Sequence, residues 1–312
     1  MKQLKWPGLA VLLGALCALV RRWQMKTAFE EPLGLLKRGA PAAMAMAAVL
    51  VLCGAVFLLL AATSACHIPH RGRMSRWDLV FAAERNSVYM GMMVLAALFT
   101  LVACPLVFRE ASGTILMWRA LGGGNNGLLQ VILALCALLS AGALVISARS
   151  AYRMVGRGRE SGALLLPVLM GCVWILEAYR ENAPDPVLWD YVPLLLAIGC
   201  GSLFYLECAA LSFEAGRPRL VLWLAAMTVV TGGAALGSAP GFAMTALLLG
   251  QTVAALAALW VVPGNLEHPP GADRFGLRAR LRQGLPLNEE DEYAVEEPDS
   301  DTQEIEEEDT HV

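Results

Sequence analysis

Eight times in its first 262 residues the chain repeats an apolar run of membrane-crossing or near-crossing length. A helix needs roughly 20 apolar residues to cross the hydrocarbon. Residues 41–64, 88–108, 127–148, 192–213 and 241–262 meet that length, and 162–178 and 220–238 are shorter or interrupted. Trp6 to Val20 supplies only fifteen residues, so a short, tilted or partly embedded first helix is expected there. No single soluble core hides so many uncharged runs. Helices satisfy their own backbone groups in lipid, and the alternating ten-residue pattern of a barrel is missing. The expected fold is therefore all-α, a polytopic transmembrane bundle of seven or eight helices.

Charge divides the chain. Only 16 % of residues are charged, against about a quarter in an ordinary soluble domain. Residues 263–312 hold fifteen acids and four arginines, whereas residues 1–262 hold twenty bases and twelve acids. Three parts follow: a helical domain over 1–262, a basic amphipathic segment over 263–285 beside the membrane, and an acidic tail over 286–312. The segment ADRFGLRARLRQGL places four arginines and several leucines where a short helix can lie on anionic lipid. The tail carries too much charge to bury a core and is expected to be disordered. It is either a solubilising extension or an acidic arm that binds a cytoplasmic protein or masks the chain's own surface. Its last residues, Thr310-His311-Val312, resemble a carboxyl-terminal ligand, a match that three residues often make by chance.

Loop lysines and arginines set the orientation. With the N-terminus inside and eight helices, the inside segments carry fifteen basic residues and the outside loops eight. Both termini are therefore expected in the cytoplasm. The loop over 21–40 disagrees, with five basic residues on the outside. Arg21-Arg22-Trp23 is expected to anchor the end of the first helix. No small-x-small cleavage site follows the first run, and Leu16 precedes Cys17 where a lipoprotein has a small residue, so a signal peptide is not expected.

Three stretches, LVRRWQMKTAFEEPLGLLKRGAP, YRENAPDPVLWDYVPLLLA and FEAGRPRLVLWLA, resemble a set of uncharacterised multi-pass membrane proteins of clostridial bacteria. The resemblance covers most of the body and stops short of the tail. It implies a bacterial cytoplasmic membrane location and a similar helix count, and brings no activity. The pattern before Arg-Pro is Gly-Phe-Ala-Phe-Gly-like in that set. Here it reads Ala-Leu-Ser-Phe-Glu-Ala-Gly, so Glu214 is a departure.

Several residues are candidates for more than packing. Glu207 lies within LFYLECAALSF, about 9 Å from the helix end at 1.5 Å per residue. An ionisable side chain at membrane depth points to a pathway or a partner. The plainer reading pairs it with Arg217, Arg219 or a basic residue of the 149–161 loop. Gln251 and Gln130 read as hydrogen-bonding groups between helices. In AYRENAPDPVLWDYV, Asp185 caps the next helix, Pro186 takes its first position, and Tyr179, Trp189 and Tyr191 form an interfacial aromatic belt. The rival reading makes Glu177, Glu181, Asp185 and Asp190 a cation or acid/base site; it leaves the prolines and aromatics unexplained.

Other features resolve more simply. WDLVFAAERNSVYM is expected to be an amphipathic lead-in at the interface. Cys66-His67-Ile68-Pro69-His70 offers three metal ligands without a fourth, and Pro69 breaks a helical presentation. The eight cysteines form no Cys-x-x-Cys and lie mostly in apolar runs as small hydrophobes. LGGGNNG is a turn with no phosphate-loop lysine after it. Gly233-x-x-x-Gly237 permits close helix packing, within the chain or in a helix–helix dimer. No catalytic triad, metal set or cofactor motif is visible, so the expectation leans away from an enzyme, with no cofactor and no nucleic-acid partner. Two functions remain: a non-enzymatic membrane scaffold or regulator, and a small-molecule or ion transporter coupled through Glu207.

Overall fold

A computed structural model describes residues 5–30, 35–36, 40–66, 68, 76–84, 86–120, 127–153, 162–182 and 188–269. The acidic tail and most of the basic segment before it lie outside the described residues. Nine helices occur among the described residues: α1 (Lys5–Thr27), α2 (Pro41–Thr63), α3 (Arg76–Val80), α4 (Ser87–Ala120), α5 (Leu128–Arg153), α6 (Leu165–Asn182), α7 (Leu188–Ser212), α8 (Pro218–Gly237) and α9 (Phe242–Glu267). All but the five-residue α3 are long and apolar enough to cross a membrane. The fold is an all-α polytopic bundle, as the repeated apolar runs require. Between α1 and α2, Phe29–Glu30 (β1) pairs antiparallel with Leu35–Leu36 (β2), a small ladder within the connector.

Successive spans reverse direction, which gives the bundle two ends. Lys5 of α1, Ala65 just past α2 and Glu267 of α9 line one pocket at the first, the Lys5 end. Arg21 of α1 meets Ser238 just past α8 at the other, the Arg21 end. Helices α8 and α9 are the most enclosed spans and α2 the most exposed. Leucines and valines of α2 such as Val51, Leu52 and Leu59 face outward, the side lipid occupies.

Small residues and self-satisfied hydroxyls let the spans pack without water. Thr228, Thr231, Ser140 and Ser202 each donate to the carbonyl four residues earlier in their own helix, at 2.6–2.7 Å. That pattern removes a polar cost that lipid cannot meet. Glycine brings α1 against α8. A Cβ on Gly233 would meet the carbonyl oxygen of Gly14 and, at 2.9 Å, its Cα. One on Gly237 would come within 2.7 Å of the Ala18 carbonyl oxygen. The Gly233-x-x-x-Gly237 face is thus taken by α1 of the same chain.

Several boundaries differ from those the apolar pattern suggests. α1 passes through Arg21-Arg22-Trp23 to Thr27, so Arg21, Arg22 and Lys26 belong to a helix rather than a loop. Arg21 is 0 % exposed, because its charge is met inside the bundle rather than at the surface. α4 extends from the expected 108 to Ala120. At about 1.5 Å per residue its 34 residues outrun a hydrocarbon layer about 30 Å thick. α9 continues past the expected boundary at 262 to Glu267.

The lead-in to α4 is folded into the Lys5 end of the bundle rather than laid on its surface. Trp77 and Phe81 are buried and stacked at 4.0 Å. The Asn265 amide of α9 donates to the carbonyls of Val80 and Ala82, each at 2.9 Å. The Ala83 amide donates to the Ala151 carbonyl at 3.2 Å.

Candidate functional site

Glu207 occupies the second-last turn of α7, near the Lys5 end, and is half-buried. The chain then reverses through a tight cap. Ala215 and Gly216 both donate to the Ala210 carbonyl, at 3.0 and 3.1 Å, and Glu214 takes a left-handed φ of 60°. Helices commonly end on one such residue, usually glycine. The reversal carries the Arg217 amide back over α7, where it donates to Glu207 Oε2 at 3.1 Å. Arg217 is the N-cap of α8 and has no side-chain cap bond of its own. The carboxylate therefore ties two helices through the Arg217 main chain, not through its guanidinium.

Gln251 is 4 % exposed in the middle of α9. Its amide donates to the Ala197 carbonyl of α7 at 2.6 Å. Gly201 makes this possible: a Cβ there would collide with the Gln251 amide. A carbonyl in a helix interior has a second lone pair, so this cross-link leaves the α7 ladder intact.

The Arg21 end holds two further polar centres. Arg21 Nε donates to Ser238 Oγ at 2.8 Å, and its Nη1 to Gln24 Oε1 at 2.9 Å. On the neighbouring helices, Gln130 of α5 hydrogen-bonds Glu177 of α6. Glu177 is 2 % exposed. Its Oε2 and the Gln130 Oε1 are buried without a hydrogen-bond partner among the described residues. Arg180 and Glu181 lie within electrostatic reach of that carboxyl, and Glu181 also faces Glu110 of α4.

The sequence candidates thus fall at opposite ends. Glu207 is near the Lys5 end, Glu177 near the Arg21 end, and Gln251 between them; the structure does not bring them together. Asp185 and Pro186 lie outside the described residues. Trp189 falls in α7, with its side chain outside them. Tyr179 is exposed, as a belt residue should be. Tyr191 is not: it is 6 % exposed and faces inward. It precedes Ile198 and Tyr205 by one and two heptads, and all three share the buried face of α7.

Arg21 is the polar residue whose role is least expected, since it ends an apolar run. Its signal is the pairing of Arg21 with Gln24 one turn on, which places both polar groups on one face of a continuing helix. All eight cysteines are free thiols. Among the described residues no three His, Cys, Asp or Glu side chains converge to hold a metal ion. His67 and His70 lie outside them.

Eight apolar spans with polar side chains turned onto neighbouring helices define a multi-pass membrane protein. No protein-family model matches the chain, and neither a curated protein nor a solved structure is similar to it.

Proposed function

We propose that this protein is a non-enzymatic scaffold or regulator of a bacterial cytoplasmic membrane, with both termini in the cytoplasm. The bacterial setting rests on the clostridial resemblance of the three loop stretches, and the orientation on the excess of basic residues inside. One observation carries the scaffold reading: three polar side chains of the bundle are spent on joining helices. Glu207 holds the Arg217 amide, Gln251 the Ala197 carbonyl and Arg21 the Ser238 hydroxyl. A bundle tied in this way serves as a platform, and the acidic tail is its recruiting arm.

The test is copurification from the native host in mild detergent. The full chain is compared with one ending at Pro270, a cut that spares all of α9. A companion lost only on truncation supports recruitment through the tail. Equal recovery with both chains removes the tail from that role.

A second reading, transport of an ion or small molecule, is favoured by Glu177 rather than by Glu207. Glu177 and Gln130 each bury an oxygen with no donor among the described residues, and an intramembrane carboxyl of that kind marks ion pathways. Proton and sodium flux into proteoliposomes decides it. Flux lost in Glu177→Gln but kept in Glu207→Gln supports transport through the Arg21 end. No flux in the unaltered protein leaves the scaffold.

A further inference from the structure

A groove of about 540 Å³ opens between the C-terminal end of α2 and the first turns of α8, at the Lys5 end. Leu58, Leu220 and Trp223 form its apolar wall. Arg76, Arg217 and Arg219 form its rim. The Trp223 indole donates to the Gly54 carbonyl at 3.0 Å, so the ring is fixed as a wall. Arg76 donates to the Gly216 carbonyl at 3.1 Å, which holds its guanidinium at the mouth. Arg217 and Arg219 are exposed. The positive end of the α8 dipole, at Arg217 and Pro218, points to the same mouth.

We propose that this groove binds an anionic phospholipid, with its phosphate beside Arg217 and Arg219 and an acyl chain against Leu58, Leu220 and Trp223. The two halves of the groove demand the two halves of such a molecule. Its wall continues into Leu58, Leu59 and Leu60 on the outward face of α2, where lipid chains lie. A soluble phosphate would answer the arginines and leave that wall uncovered. The acidic tail of this chain would do the same, since its carboxylates come with few apolar side chains. Two carboxylates share the turn. Glu207 is committed to the Arg217 amide, Glu214 is exposed, and Arg217 and Arg219 are both exposed at the mouth. Basic pockets between membrane helices bind lipid head groups by this combination of charge and apolar contact.

Full-length protein in mild detergent is titrated with dioleoylphosphatidylglycerol and, separately, dioleoylphosphatidylcholine, and bound lipid is counted by native mass spectrometry. Phosphatidylglycerol is expected to bind at least tenfold more tightly. Each arginine near a lipid surface contributes about a fivefold factor. Arg217→Gln with Arg219→Gln should therefore weaken phosphatidylglycerol by about 25-fold. Arg22→Gln, an exposed arginine at the opposite end, should leave it unchanged. Leu58→Trp keeps all three arginines, fills the apolar wall from its lipid side, and should displace the lipid without unfolding the bundle.

Equal binding of the two lipids overturns the proposal, as does undiminished binding in the double arginine variant or in Leu58→Trp. Inorganic phosphate at millimolar concentration should not compete. If it competes as well as the lipid, the site takes a soluble anion instead. If only the chain ending at Pro270 binds lipid, the acidic tail is the occupant and the lipid assignment fails.

Discussion

The contact between α1 and α8 can be tested by adding one carbon atom. Gly233→Ala places a Cβ against the Gly14 carbonyl and within 2.9 Å of the Gly14 Cα. Both obstacles are backbone, so neither yields by changing rotamer and the helices must part. Overpacking of this kind costs about 1–3 kcal/mol. The same substitution also raises helix propensity, by about 1 kcal/mol in a helix interior. Gly142 separates the two effects, because a Cβ there meets nothing within 4 Å. Gly142→Ala should stabilise the protein by up to about 1 kcal/mol. Gly233→Ala should fall below it by about 1–3 kcal/mol. Gly14→Ala, whose Cβ approaches the Val229 carbonyl oxygen at 3.0 Å, should lie between them. The assay is reversible unfolding in mixed micelles, or thermal inactivation followed by size-exclusion chromatography. Gly233→Ala as stable as Gly142→Ala would refute the close approach of α1 and α8.

Three other perturbations read separate features. Gln251→Leu removes the bond to Ala197 at similar volume and should cost about 0.6–1.7 kcal/mol by the same unfolding assay. Ending the chain at Pro263 rather than Pro270 removes the two Asn265 bonds and buried Leu266. That loss should amount to about 3–5 kcal/mol, seen as a clear drop in midpoint temperature relative to the longer chain. Glu214→Gly relieves a non-glycine residue held at a φ of 60°. It should stabilise by about 1 kcal/mol, and a loss of stability would mean that the Glu214 side chain has a role of its own.

The parts of this fold that sequence makes legible are those governed by local composition. Apolar runs locate each span, because lipid penalises any shorter or more polar solution, although they do not set where each helix ends. The start of α8 at Pro218 is readable for a local reason too, since proline suits a first helical position. What is hidden depends on a distant partner. α1 outlasts its apolar run because Ser238 and Gln24 accept the Arg21 guanidinium. Glu207 was legible as an expensive carboxylate that needs a partner. That the partner is a backbone amide follows from the shape of the α7–α8 turn, which no spacing rule encodes. Tyr191 illustrates the same limit, since an aromatic near a helix start suits either the belt or the core. Gln130 was legible as a hydrogen-bonding group between helices, but that its partner is Glu177 depends on how α5 and α6 pack.

The bond between Arg21 and Ser238 spans 217 positions of chain. At about 5–20 residues per second of synthesis, the helix that emerges first waits some 10–40 s for the helix it must hold. During that interval a guanidinium destined for the bundle interior has neither its hydroxyl partner nor the glycine face of α8 beside it. Until then α1 has only α2 to pack against, through Trp6 on Phe57, and its buried guanidinium gains the Ser238 hydroxyl only when the seventh span arrives. The chain is threaded into the membrane from one end but locked from the other, so a synthesis that stops before residue 238 leaves its first helix unsecured.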